Sequence, residues 1–163
     1  MNKENNLSLK NIVASKEKKE RKIFIPRNAY KHLDNERQEL PQVPNDKLDN
    51  FILYLEKQNI VVKKVTVKPS LLKPAQKHIN KEKIQYFMNK EGRKDLLKPI
   101  IISKEGYVID GHHRWLAWFS LYRNNPIHAI FIKCDIDKII AVANEFKDSF
   151  NKAIDEMKLG KIK

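Results

Sequence analysis

The sequence predicts a small α+β domain with an extension at each end, and three observations carry that expectation. Segments with apolar residues at helical spacing alternate with short β-branched runs, and Gly, Pro and Asn signals separate them. The chain has 163 residues, enough for one domain with a real core and too few for two ordinary ones. Its hydrophobic share of 41% and charged share of 33% suit a soluble chain, and no apolar run approaches the roughly 20 residues needed to cross a bilayer. The opening MNKENNLSLKNIVASKEKKERK has no continuous apolar segment and no small-residue cleavage pattern, so a cytoplasmic location without membrane contact is expected.

Residues 1–22 are rich in Lys, Glu and Asn, with large apolar side chains after Met1 only at Leu7, Leu9, Ile12 and Val13. That is too little to fold alone, so a flexible basic arm is expected. A loop-rich lead-in follows over 23–60, where Pro26, Pro41 and Pro44 favour extended backbone. Within it, Leu48, Phe51, Ile52 and Leu55 predict an amphipathic helix over Lys47 to Gln58, capped by Asn45 or Asp46. The run IVVKKVTVKPSLL reads as a strand closed by Pro69. Asn80 caps a second helix with Ile84, Phe87 and Met88 on one face, ending near Gly92. Ile100 to Ile102 and Tyr107 to Ile109, joined by a polar turn at Gly106, predict a hairpin. Arg114 to Tyr122 is apolar almost all round and should be a buried helix. A strand IHAIFIKC and a helix from about Asp135 to Met157 complete the pattern, the last 29 residues (135–163) forming a C-terminal helix and tail. The single cysteine, Cys134, excludes an intrachain disulfide and reads as a small core residue at a strand end.

The net charge is +13, of which residues 1–22 and 152–163 contribute +4 and +2, leaving +7 on the middle of the chain. Polyanions are therefore the first partners to consider, nucleic acid and nucleotides above all. The arm and the C-terminal helix are candidate contacts for a protein partner.

The chemistry concentrates in VIDGHHRW, residues 108–115. A glycine between strand and helix permits a tight turn, and the first N–H groups of the helix, together with its dipole, favour an anion. His112, His113 and Arg114 add side chains able to donate to phosphate oxygens, Arg114 through two parallel bonds. Adjacent helical residues point about 100° apart, so the two histidines do not face one metal ion, and the i, i+4 spacing of metalloprotease helices is missing. In the competing reading, Arg114 caps a neighbouring helix or pairs with an acid and one histidine is a satisfied core residue. The strand, Asp-Gly turn and helix lie in the order an anion site needs, and this places the phosphate reading ahead.

The runs GYVIDGHHRWLAWFSL, LLKPAQKHINKEKIQYF and LKPIIIS together resemble the ParB/sulfiredoxin superfamily, in particular the ParB-like nuclease domain proteins of bacteriophages and plasmids. The likeness covers roughly residues 61–134. It implies a mixed sheet with packed helices and a nucleotide, ATP or CTP, with Mg²⁺ as its accompanying ion. By the same resemblance Gly111, His112, His113 and Arg114 contact phosphate, Lys73 and Gln76 of the K-P-x-Q box lie beside them, and Asp110 orients the turn or supports a metal. No residue is assigned as a metal ligand. Relatives often carry a glutamate two residues after the box glutamine, where this chain has Lys77 and His78. His78 or Glu82 is then the candidate base, with an exposed loop histidine as the competing reading of His78. The cysteine of the sulfiredoxin motif is replaced by His112, which speaks against sulfinic acid reduction. Trp115 is the one aromatic expected near a nucleotide, whereas Trp118, Phe119 and Tyr122 are expected in the core. Three functions follow: a nuclease or NTPase acting on or along DNA, a small-molecule kinase of the serine type, or a non-catalytic virion or packaging-associated protein.

Overall fold

The structure, a computed structural model, describes residues 20–31, 40 and 43–147. Its sheet is organised around strand β3 (Ile100–Ser103), all four residues of which are buried. Three consecutive isoleucines put apolar side chains on both faces of a strand, and such a strand belongs in the middle of a sheet covered on both sides. The observed order is β1-β5-β3-β4-β2. Strand β1 (Val62–Val67) runs antiparallel to β5 (Ile127–Ile132), and β5 runs parallel to β3. Strand β4 (Tyr107–Asp110) forms the expected antiparallel hairpin with β3, and β2 (Lys73–Pro74) adds to β4 in parallel. The arrangement is α+β with a mixed sheet.

Helices α1 (Leu48–Lys57), α2 (Lys81–Met88), α3 (His112–Tyr122) and α4 (Ile136–Lys147) cover this sheet. On one face, Phe51 and Leu55 of α1 and Ile139 and Ala143 of α4 pack with Ile101, Ile109 and Ile130. On the other, Ile84 and Met88 of α2 and Trp115, Leu116 and Ala117 of α3 pack with Ile100, Ile102 and Val108. The period of two in a strand sorts adjacent isoleucines into different cores. The α1–α4 pair is fastened by the Phe51 and Phe146 rings, 5.3 Å apart, and by the Tyr54 hydroxyl donating to Glu145 Oε2 at 3.0 Å. That hydrogen bond, with lesser help from desolvation and the carboxylate charge, raises the Tyr54 phenol above its ordinary pKa. Cys134 is buried just after β5, as expected.

Several elements differ from the sequence expectation. Helix α1 is entered through a 3₁₀ turn, Asn45–Lys47, so Lys47 occupies the cap position and no side chain caps the helix. Helix α3 starts at His112, two residues early, because Gly111 turns the chain sharply enough for both histidines to be helical. It is also less enclosed than its composition implies: Trp118 and Phe119 are half-buried and Tyr122 is exposed. The two-residue β2 has no counterpart in the sequence reading. Residues 20–22 of the expected arm lie within the described region, where the Arg21 N–H donates to Gln85 Oε1 at 2.9 Å and the Arg21 carbonyl accepts from Gln85 Nε2 at 2.6 Å. The rest of the arm and the expected continuation of α4 to Met157 lie outside the described residues. No helix among the described residues is long and apolar enough to cross a membrane.

Trp115 tests the packing under α3. It is 0% exposed and its Nε1 donates to the Pro69 carbonyl at 2.9 Å. Trp115→Ala is expected to cost about 3–5 kcal/mol in urea unfolding, and Trp115→Phe about 0.5–1.5 kcal/mol, the scale of one hydrogen bond, since the Pro69 carbonyl keeps the Leu72 N–H at 3.2 Å.

Candidate functional site

Strand β4 ends by delivering Asp110 and Gly111 to the start of α3. Gly111 adopts φ 96° and ψ 27°, a left-handed conformation that costs a residue with a Cβ about 1–2 kcal/mol. A Cβ here would also lie 2.7 Å from Ile100 Cγ2 and 2.8 Å from Arg114 Nη2. The glycine therefore turns the chain and leaves room for the Arg114 guanidinium to fold back against the turn.

His112 and His113 are buried, at 3% and 8% exposure. Both use Nε2 as an acceptor. His112 takes the N–H groups of Ala75 at 3.1 Å and Gln76 at 3.4 Å, and His113 takes the Asn80 N–H at 3.0 Å. An imidazole that accepts at Nε2 is neutral, with its proton on Nδ1. The angular offset between neighbouring helical residues lets one ring hold the end of β2 and the other the start of α2. Between these anchors the Gln76 side chain donates to the His78 carbonyl at 2.6 Å, closing the loop on itself. Asn80 then caps α2 by accepting the Lys83 N–H at 3.1 Å.

Arg114 is fixed from the other side. Its Nη1 donates to the Lys98 carbonyl at 2.8 Å and the Pro99 carbonyl at 3.0 Å. Lys98 closes the 3₁₀ turn Arg93–Leu97, so this is the capping contact weighed against the phosphate reading. Burial lowers the guanidinium pKa, and the Asp110 and Asp95 carboxylates oppose that shift. An arginine remains charged at neutral pH regardless. Nε and Nη2 make no further hydrogen bond among the described residues.

The β4–α3 turn forms one wall of a cleft of about 500 Å³, within the size range of small-molecule sites. Asp110, Gly111, His112, His113 and Arg114 line it, and Gln76 and Glu82 share it. Asp110 also accepts the Val43 N–H on Oδ2 at 3.4 Å. Three expected site residues do not line the cleft. Lys73 places its Nζ 4.3 Å from the centre of the Tyr107 ring. His78 is exposed on the loop, which leaves Glu82 as the candidate base that reaches the cleft. Trp115 is corrected outright: its ring is wholly in the core, because the first turn of α3 points that side chain at the sheet.

Sequence reasoning missed Asn80, Lys83 and Tyr86 on the cleft and read Phe87 only as helix core. A signal was present for Tyr86, an aromatic residue out of phase with the apolar Ile84 and Met88. Among the described residues no group of three or more His, Cys, Asp or Glu side chains is placed to hold a metal ion. No family model, curated protein or solved structure matches the chain.

Two substitutions check this construction. Gly111→Ala combines left-handed strain with the contacts above and is expected to cost at least about 1–2 kcal/mol by urea unfolding. His112→Ala leaves the buried Gln76 N–H without its acceptor, whereas the Ala75 N–H keeps the Val108 carbonyl at 3.2 Å. The expected loss is about 1–3 kcal/mol, with accelerated amide exchange at Gln76.

Proposed function

We propose that the chain is a ParB/sulfiredoxin-like protein that binds a nucleotide by its phosphates at the start of α3 and acts on or along DNA. The observation that carries this reading is the left-handed Gly111, which brings the positive end of the α3 dipole and the Arg114 guanidinium to one cleft wall. Lys83 adds a second positive charge to the same cleft. The +7 that remains on the middle of the chain favours polyanions in general. With both imidazoles accepting backbone N–H groups through Nε2, phosphate recognition falls mainly to the helix terminus, Arg114 Nε and Nη2, and Lys83. Mg²⁺ arriving with the phosphates would find carboxylate oxygens at Asp110 and Glu82, the ligand type that hard cations prefer.

Glu82 supports a second reading, the small-molecule kinase. A carboxylate on the cleft that holds the phosphates is placed to accept the proton of an acceptor hydroxyl. ADP release that depends on an added hydroxy amino acid would select this reading.

Isothermal titration with ATP, CTP, ADP and short duplex DNA tests the primary proposal. Arg114→Ala is expected to weaken the best ligand about 10- to 100-fold, the scale of a lost charge-assisted hydrogen bond. Lys83→Ala, at an exposed position, is expected to weaken it less and keeps the test valid if Arg114→Ala unfolds. DNA binding, where present, should fall steeply with salt. Absence of binding to all four ligands, or affinities unchanged in both variants, contradicts the proposal.

A further inference from the structure

Tyr86 departs from the burial pattern of its helix. Ile84 and Met88 are buried against the sheet, whereas Tyr86 is 45% exposed and lines the cleft. A singly exposed aromatic residue needs no explanation, but the surroundings of this one are built to hold it. Gly92 has an ordinary φ of −97°, so it is not there for its conformational freedom. It is there for space: a Cβ at Gly92 would collide first with the Tyr86 carbonyl oxygen and would also lie 2.7 Å from both Cδ2 and Cε2 of the Tyr86 ring. The Phe87 ring meets Tyr86 edge to face, with centroids 5.3 Å apart and planes at 72°. The Tyr86 hydroxyl donates to Asp95 Oδ2 at 3.4 Å, and Asp95 pairs with the Lys98 ammonium at 3.3 Å. Lys98 is also the residue whose carbonyl holds Arg114. The ring and the guanidinium are thus tied to the same short stretch of chain.

We infer that Tyr86 is the stacking seat for the base of the bound nucleotide. This deepens the phosphate-binding proposal and rests on it. A ligand held by phosphate at the α3 terminus has, within the same cleft, a planar ring whose position is already set. Stacking on such a ring is tolerant of base identity, because every base presents a π face. The ring is anchored before the ligand arrives, so little rotational freedom is lost on binding. The recognised chemistry is a nucleobase joined to phosphate, which a free nucleotide and the phosphorylated end of a strand both supply.

The test compares ATP, inorganic tripolyphosphate and a 5′-phosphorylated oligonucleotide on the full chain and on Tyr86→Ala and Tyr86→Phe. Tyr86→Ala is expected to weaken ATP about 5- to 100-fold and leave tripolyphosphate unchanged, while Tyr86→Phe retains most of the affinity. In the unsubstituted chain, ATP and not tripolyphosphate should move the Tyr86 ring protons upfield in the NMR spectrum, a readout independent of how the variants fold. Oligonucleotide binding tighter than ATP, with the same dependence on Tyr86, supports the seat and assigns its base to a strand. Tripolyphosphate binding as tightly as ATP, or ATP binding indifferent to Tyr86→Ala without a ring shift, overturns the seat and leaves the phosphate proposal standing. If ATP, tripolyphosphate and the oligonucleotide all fail to bind, and CTP, ADP and duplex DNA fail as well, both fall together.

Discussion

Two neutral imidazoles, accepting backbone N–H groups from a loop distant in sequence, hold the cleft in shape. His112 and His113 lie on the first turn of α3, and through Ala75, Gln76 and Asn80 they fix where β2 ends and where α2 begins. The consequence reaches every wall of the cleft. The positions of Glu82, Lys83 and Tyr86 follow from the start of α2, which the Asn80 N–H and side chain together define. Buried polar groups with satisfied partners specify one arrangement, because each alternative strands a donor in a dry environment.

The adjacent arginine acts in the same sense. Arg114 occupies the space that a Gly111 side chain would take and caps the turn leading into β3. A histidine pair and an arginine at a strand-to-helix junction thus act first as three fasteners. One sews the K-P-x-Q loop to α3, the next sews α2 to α3, and the third sews the approach to β3 against them. Phosphate recognition, as proposed, draws on the donors that this sewing leaves at the cleft.

The legible part of the fold was the part written in local periodicity. The triple isoleucine of β3, the alternation after Tyr107 and the heptad-like spacing in α1 each state which face is buried, so helices and hairpin were readable. Strand β2 was not, since two residues carry no period and their strand character comes from pairing with β4. The site divides similarly. Gly111 was readable because a glycine between a strand and a helix has a local meaning, and here that meaning is a left-handed φ. A satisfied core histidine was readable as the competing role for one of the pair. The partners of His112 and His113 were not, because they are the backbone N–H groups of Ala75, Gln76 and Asn80, which have no side-chain signature. Tyr86 and Lys83 entered the cleft only through tertiary packing of α2 against α3. Trp115 was misplaced for the opposite reason: its position in the motif suggested the ligand, while the first turn of the helix aimed it at the core.

The protonation of the two rings is the most direct check on this account. Imidazole ¹⁵N chemical shifts at neutral pH should report His112 and His113 as neutral, with the proton on Nδ1 and a bare Nε2, and the Ala75 and Asn80 amides should exchange slowly. A charged imidazolium at either position, or a tautomer protonated at Nε2, would contradict it.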